Sequence, residues 1–370
     1  MRLRRLLIPE RFQDGYLYRQ WFIGLTEYRS LKFVHLPSIS SRVLRLFEPP
    51  SGQADMGERS PGAHVPEAPV VLTTPEVLAV NAGFAREVDL VVNASVVLDI
   101  SVYRQHLYIG TDKGLFSAPL QLSSVGKPFR TDLERRHDAR ALKVTARFDT
   151  VTVSCGEDGL FAALKESEDP HEKVPLRKIE EQSLKSAWLL RSLVNYPSHR
   201  EWNILGTREE EWAGGGEERW RAIGFPEDQR FGLSSLLHII RQHQPDFNLN
   251  DVQFSFNSDR YIFVHTFGGE FFSLRLGHRH GEPKIYFHRT YKGTGVRILS
   301  ATPLDTGLAI ETNHRVFLFT KEHWIPLVDR DVLSVRTFPS SQRFRNIISI
   351  ATEDGLYLIS ALPDKINSQP

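Results

Sequence analysis

The sequence has almost no cysteine, since Cys155 is the only one among 370 residues. An internal disulfide is therefore excluded, which suits a protein of a reducing compartment. The chain also lacks an apolar run long enough to span a bilayer, because the best candidate, VVNASVVLDISV from Val91, is interrupted by Asn93 and Asp99. Its first residues lack the apolar stretch of a signal peptide. These absences favour a cytoplasmic protein without a membrane span.

An excess of charge is missing as well. Lys and Arg total 46 and Asp and Glu total 45, for a net charge of +1. A general nucleic-acid binder usually carries a basic excess or stripe. The one basic cluster lies in residues 1–15, at Arg2, Arg4, Arg5 and Arg11. We interpret these residues as a solvated basic segment, the alternative being a contact for phosphate or for a partner.

The common motifs of enzymes and metal sites are absent. The sequence contains no Gly-x-Ser-x-Gly, His-Glu-x-x-His or Cys-x-x-Cys. The densest imidazole cluster is His278, His280 and His288, but GHRHGEPK is typical of a turn between strands, so we expect a solvated loop rather than a zinc site. Cys155 lies between apolar neighbours and is expected to be a small buried side chain. We therefore expect no catalytic residue, no cofactor and no metal.

Three segments repeat one pattern: an apolar run, an acidic turn, Gly-Leu-aromatic, and a second apolar run. They are LYIGTDKGLFSAPL from Leu107, VTVSCGEDGLFAAL from Val151, and IISIATEDGLYLISAL from Ile347. The glycine of each segment can adopt the positive φ that a tight hairpin needs, and Asp-Gly is a favoured two-residue turn. Each segment therefore predicts a strand, a hairpin and a second strand.

The spacing of the copies defines the repeating unit. Gly114 and Gly159 are 45 residues apart, and Gly159 and Gly355 are 196 apart, which is four units of 49. Weaker copies extend the series to seven units, with anchors at Thr74, Thr111, Gly156, Thr207, Thr266, Thr312 and Thr352. Strand-like segments before and after the hairpins give four strands per unit, the size of a propeller blade. We predict an all-β, closed β-propeller over residues 16–362, with seven blades or, alternatively, six.

The segments IGTDKGLF, SCGEDGLF and IATEDGLYL resemble the repeat of propellers of the regulator-propeller and WD40-like superfamily. The resemblance covers roughly residues 70–362 and implies the fold rather than a partner. The sequence departs from the pattern because no Trp-Asp dipeptide ends its strands and Arg315 replaces one turn glycine. No subfamily is assigned.

The last copy ends at its third strand, before a polar tail at residues 363–370. A fourth strand is needed, and two N-terminal segments offer one: YLYRQWFIGL from Tyr16 and SLKFVHLP from Ser30. We predict that an N-terminal strand completes the last blade, because closure leaves no long exposed edge.

Two segments depart from the repeat. Residues 48–69 contain five prolines and few apolar side chains, so we expect a disordered loop. Residues 208–245 combine an acidic stretch, a glycine run and two tryptophans with a helix near residues 233–242, whose apolar residues recur at i, i+3, i+4 and i+7. Exposed aromatic rings often anchor partners, although the tryptophans could instead pack against the helix. The candidate partner-binding residues are Trp212, Trp220, Glu209, Glu210 and Glu211.

The sequence favours a non-catalytic protein–protein interaction scaffold, a subunit of a larger assembly whose partners are other proteins. The alternative is a propeller enzyme or small-ligand sensor with a site at the mouth of the central channel. Such a site takes residues from many blades and leaves no linear motif. A polar cluster at the mouth would favour the alternative, and exposed apolar patches on the loops and helix would favour the scaffold.

Overall fold

The protein is described by a computed structural model. It covers residues 2–27, 30–36, 70–71, 85–89, 96–120, 133–148, 150–164, 175–189, 192–207, 232–258, 261–279, 282–291, 297–320, 323–338, 341 and 343–362. These residues form two compact units, one of residues 1–90 and 299–370 and one of residues 91–298. Strands dominate both units.

The unit of residues 1–90 and 299–370 contains three sheets. Sheet 1 has the strands β2 (Phe12–Tyr18), β3 (Trp21–Thr26), β4 (Ser30–His35) and β6 (Ala85–Asp89). Sheet 6 has β22 (Ile298–Leu304), β23 (Gly307–Thr312), β24 (Arg315–Thr320) and β25 (His323–Asp329). Sheet 7 has β26 (Val332–Thr337), β27 (Ile347–Thr352), β28 (Gly355–Leu362), β1 (Arg2–Ile8) and β5 (Val70–Val71).

The unit of residues 91–298 contains four sheets. Sheet 2 has β7 (Val97–Tyr103), β8 (His106–Thr111), β9 (Gly114–Pro119) and β10 (Glu134–His137). Sheet 3 has β11 (Lys143–Arg147), β12 (Thr150–Ser154), β13 (Leu160–Leu164) and β14 (Arg177–Glu180). Sheet 4 has β15 (Lys185–Leu189), β16 (Ser192–Tyr196) and β17 (Asn203–Thr207). Sheet 5 has β18 (Val252–Ser258), β19 (Tyr261–Thr266), β20 (Phe271–Arg279) and β21 (Glu282–Tyr291).

The strands of each sheet follow one another in chain order, except that β1 pairs with β28 in sheet 7. The pairs with a described register are antiparallel, apart from β5, which joins β1 in parallel. Seven small consecutive antiparallel sheets are the architecture of a seven-bladed β-propeller. The all-β fold class and the count of seven are confirmed. The second strands are buried along their length, as β27 is, because sheets in this architecture pack on both faces.

The turn of the repeat has a specific geometry. We call the end of a sheet where the second strand turns into the third its hairpin end. At the hairpin ends of sheets 2 and 7, Thr111 pairs with Gly114 and Thr352 with Gly355. Each threonine Oγ1 donates to the glycine carbonyl, at 2.8 and 2.9 Å respectively. The two-residue turns are therefore Asp112-Lys113 and Glu353-Asp354, and the turn of sheet 7 is one residue earlier than the predicted Asp354-Gly355.

The N-terminal strand completes the last sheet, as predicted, but its identity is different. Strand β1 pairs antiparallel with β28, from Arg2 opposite Leu362 to Ile8 opposite Leu356. The segments from Tyr16 and Ser30 instead form β2, β3 and β4 of sheet 1. The basic segment therefore contains a structural strand. The pattern was missed because arginines interrupt an apolar series of buried residues, Leu3, Leu6 and Ile8.

Two of the seven repeat anchors are also corrected. The first copy of the hairpin is at Thr26, whose Oγ1 lies 2.7 Å from the Ser30 Oγ, whereas Thr74 lies outside the described residues. In sheet 4, Thr207 ends the third strand, and the second strand ends at Tyr196. Both predictions were wrong because a threonine that follows an apolar run lies near the expected spacing, whereas the second strands end at Thr26 and Tyr196.

The inserted helix is present and its apolar stripe is buried. A 3₁₀ turn (Ser234–Leu236) leads into α1 (Leu237–His243), and a second 3₁₀ turn spans Leu249–Asp251. Leu233, Leu236 and Ile240 are buried in one cluster with residues of sheets 4 and 5. The stripe therefore belongs to the core of this unit. The predicted disordered loop at 48–69 and the polar tail at 363–370 lie outside the described residues.

Candidate functional site

Four first strands of the unit of residues 91–298 carry polar or aromatic side chains at one shared register position. The position faces the last paired residues of the second strand, close to the hairpin end. It holds Asp99 opposite Gly110, Lys143 opposite Ser154, Lys185 opposite Tyr196, and Phe254 opposite His265. Residues far apart in the sequence thus occupy the same place in consecutive sheets.

Asp99 and Lys143 link sheets 2 and 3. The Asp99 carboxylate is buried and accepts hydrogen bonds from the Lys143 Nζ at 3.1 Å and from the Val144 backbone N–H at 2.8 Å. A buried charge is tolerated when it is paired and hydrogen-bonded in this way. The Asp99 charge is therefore already matched within the chain.

Lys185 has a different environment. Its Nζ lies 4.5 Å from the ring centroids of both Tyr196 and Phe254, and 3.4 Å from the Ser255 carbonyl oxygen, to which it donates. Burial first, and then the nearby positive charge of Lys143, lower the pKa of Lys185 to about 7. Within the described parts of the chain, no carboxylate pairs with it. An anionic group brought beside Lys185 would raise this pKa, because opposite charge favours the ammonium form.

The loop between β16 and β17 extends this environment. It is fixed to β18, since the His199 carbonyl accepts from the Ser255 N–H at 2.8 Å and the Arg200 carbonyl from the Ser255 Oγ at 3.1 Å. The His199 ring stacks on Phe254, with centroids 5.8 Å apart. The pKa of His199 is lowered first by burial and then by the positive charges of Lys185 and Arg297.

The same loop also contacts an exposed aromatic ring. The Arg200 guanidinium lies 5.3 Å from the ring centroid of Phe267, which is 60% exposed. The Lys185 surface, as we name the set Lys185, His199, Arg200 and Phe267, is thus cationic and partly apolar. The only acidic residue of the loop, Glu201, is exposed and forms no ion pair with a described residue.

The partner-binding residues predicted from the sequence, Trp212, Trp220 and Glu209–Glu211, lie outside the described residues. Their role stays a prediction. Residues 208–231 as a whole lie outside the described residues. The two alternatives for the tryptophans, binding a partner or packing against the helix, therefore remain open.

The predicted histidine cluster lies on a third strand, an outer strand and the hairpin between them, so the expected loop is short and His278 and His288 belong to strands. The backbone of His278 is in β20, His280 falls outside the described residues, and His288 is in β21. The His288 Nδ1 is 3.0 Å from the Ser273 Oγ, and its ring packs against Tyr261. Where the structure describes side chains, no group of three His, Cys, Asp or Glu residues is placed to hold a metal ion.

Cys155 is buried in sheet 3, as predicted. Its Sγ lies 3.9 Å from the Val153 carbonyl oxygen. Burial and the negative charge of Asp158 raise the pKa of the thiol to about 12. Because the thiolate is the nucleophilic form, the thiol is unreactive at neutral pH.

Sequence reasoning missed the Lys185 surface because its members come from two sheets and a loop. One signal was available. Lys143 and Lys185 both follow a leucine at the start of a first strand, in Ala-Leu-Lys and Ser-Leu-Lys. The repeat places these lysines at one register position, but it does not show which of them has a carboxylate partner.

No protein-family model and no curated protein matches the sequence. Solved structures match nearly the whole chain. PorZ, a surface component of the type-IX secretion system of Porphyromonas gingivalis, is 13% identical over 98% of this chain, with a TM-score of 0.51. This chain spans only 40% of the PorZ chain.

Two further structures are of similar length to this chain. The WD40 β-propeller domain of Doa1 is 10% identical, covers 97% of this chain and 96% of its own, and has a TM-score of 0.51. A chain of the mitotic checkpoint complex is 10% identical, with 97% and 95% covered and a TM-score of 0.50. Likeness at this level of identity shows the fold alone. The chain has a β-propeller fold similar to that of a WD40 domain, and no subfamily is assigned. No helix among its described residues is long and apolar enough to cross a membrane.

Proposed function

We propose that this protein is a non-catalytic interaction scaffold, a subunit of a larger assembly that binds other proteins at the hairpin ends of its sheets. WD40-like propellers generally mediate protein interactions, and a neighbour of similar length is part of the mitotic checkpoint complex. That neighbour supports the class of function and no particular partner. The lone buried cysteine supports a reducing, cytoplasmic location.

The observation that carries the proposal is the position of the exposed apolar side chains. Of the five large apolar residues that are exposed in the described parts of the chain, four lie at the hairpin end of their sheet and one, Tyr286, lies on an outer strand. The four are Val96 and Phe267 in one unit and Leu299 and Leu333 in the other. Exposed apolar groups are typical of sites where partners dock, and Phe267 also contacts Arg200, which pairs with no carboxylate among the described residues.

The test is quantitative affinity capture from native extract, comparing the wild type with the double variant Phe267→Ser, Arg200→Glu. Tyr286→Ser is the matched control, because it removes an exposed aromatic ring far from the hairpin end. We expect the double variant to lose specific partners that the control retains, at an unchanged melting temperature. Identical captured sets for all three proteins would contradict a docking role for this end of the sheets.

Lys185 also favours the second candidate function, a sensor of a small ligand. A lysine with a pKa near 7 and no carboxylate partner in the described part of the chain can hold a small anion. The scaffold is preferred because the cationic groups continue along the loop to an exposed phenylalanine, which a small ion does not need.

A further inference from the structure

We propose that the Lys185 surface binds an acidic segment of a partner protein. A carboxylate or phosphoryl group of that segment pairs with Lys185, and an apolar side chain beside it packs on Phe267. The inference rests on the proposed scaffold function and specifies the chemistry of the partner.

The balance of charge in this region supports the inference. The buried Asp99 carboxylate lies beside Lys143, and it is already bonded to the Lys143 Nζ and to the Val144 N–H. Lys185 and Arg200 have no carboxylate partner among the described residues, and Arg297 adds positive charge near His199. An incoming anion would therefore meet cations whose charge is not yet compensated.

The position of Lys185 makes its ammonium a specific binding group rather than one of many surface charges. The rings of Tyr196 and Phe254 and the Ser255 carbonyl surround the Nζ and hold it in place. A pre-positioned donor in a partly dehydrated site loses little side-chain entropy on binding, and charge-assisted hydrogen bonds are the stronger ones.

The extent of the surface favours a peptide over a free anion. From Lys185 the contacts continue through Phe254 to His199, and the loop carries Arg200 onward to Phe267. An extended segment can place an anionic group at Lys185 and a neighbouring side chain on the exposed ring. A free phosphate would use only the first of these contacts.

The first experiment is selection of a randomised phage-displayed peptide library on the wild-type protein, with soluble Lys185→Met protein present as competitor. The competitor removes peptides that bind elsewhere. We expect the selected peptides to be enriched in Asp or Glu with an apolar residue nearby. Selection without acidic enrichment, or selection that the competitor abolishes, would overturn the proposal.

The second experiment measures the affinity of one selected peptide by fluorescence anisotropy. Three versions carry glutamate, phosphoserine or serine at the acidic position, so that carboxylate and phosphoryl sources are told apart. We expect Lys185→Met to weaken the acidic versions by about tenfold or more, since a charge-assisted bond is lost. Lys185→Arg should retain most of the affinity.

The control is Lys113→Met, which removes an exposed positive charge at the hairpin end of sheet 2. It should leave the affinity within about twofold, because a distant surface charge is largely screened. An equal loss in both lysine variants would show that net charge alone attracts the peptide, and would overturn the assignment to Lys185.

The pH dependence provides a separate readout. Among the described residues, Lys143, Tyr196 and His199 are the charged or titratable groups near Lys185, with Asp99 paired to Lys143 and Arg297 near His199. Because the ammonium form binds, the wild-type affinity should fall as the pH rises through about 7, and Lys185→Arg should reduce this dependence.

Inorganic phosphate that competes at the peptide's own concentration would instead indicate a small-anion site. If the Phe267 and Arg200 variant loses captured partners while no acidic peptide binds, the scaffold function stands and this inference fails.

Discussion

At the scale of single residues, Gly355 shows why the repeat contains a glycine. Its φ is +147°, a conformation that L-residues rarely adopt. A Cβ at this position would also collide with the Ile8 carbonyl oxygen of the neighbouring strand β1. Gly114 has the same relation to the His137 carbonyl of strand β10. The sequence predicted the positive φ, but the close approach of a fourth strand became evident only in the assembled sheet.

We expect Gly355→Ala to destabilise the protein by about 1–3 kcal/mol, because backbone strain and the clash with β1 act together. The measurement is the midpoint of urea denaturation. Gly268→Ala is the matched control, since a Cβ there meets only an ordinary contact at 3.7 Å. Equal midpoints for the two variants would show that β1 yields easily and does not constrain the hairpin.

At the scale of elements, the closing strand β1 is the most informative case. Leu6 and Ile8 lie on one face of the strand and pack in one cluster, while Leu3 lies on the opposite face and packs in another, so β1 is packed on both faces. Pairing with β28 extends over seven residues, from Arg2 to Ile8. An N-terminal closing strand was predicted from the missing fourth strand, whereas the choice of segment depended on which one reaches β28.

Removal of residues 1–9 should expose the edge of β28 and cause loss of solubility and of cooperative unfolding. Light scattering and thermal melting followed by circular dichroism provide the measurements. A synthetic peptide of residues 1–9 should restore cooperativity when it is added in excess. Removal of residues 364–370 serves as the control deletion. If the protein without residues 1–9 melts like the full chain, β1 does not contribute to the stability of the fold.

At the scale of the whole molecule, the insertion of residues 208–245 contains two parts with different outcomes. The helix was predicted near residues 233–242 and is present, and its stripe covers sheets 4 and 5 rather than a partner. Periodicity reveals that a helix has an apolar face but not what covers that face. The acidic and tryptophan-containing part remains a prediction from the sequence.

We expect the double variant Trp212→Ala, Trp220→Ala to fold normally and to lose a protein partner in affinity capture, with a cost of about 2 kcal/mol or more in binding. Changing Glu209, Glu210 and Glu211 to lysine should weaken association more at low salt than at high salt. At high salt, the electrostatic attraction that guides a basic partner to this segment is already screened. If the double variant keeps its partner, this part of the insertion is not a binding site. A markedly lower melting temperature would place the tryptophans in the core.

The sequence alone determined the all-β propeller and its seven repeats, because the spacing of strands and hairpin glycines is a local property that recurs along the chain. It also determined that Cys155 is buried, since its neighbours are apolar. The tertiary structure decided which strand closes sheet 7 and where two hairpins lie. It alone decided that Lys143 has a carboxylate partner while Lys185 has none among the described residues, since both lysines follow a leucine in the sequence. That difference depends on Asp99 and Phe254, which lie 44 residues before Lys143 and 69 after Lys185 and become neighbours only when the sheets pack.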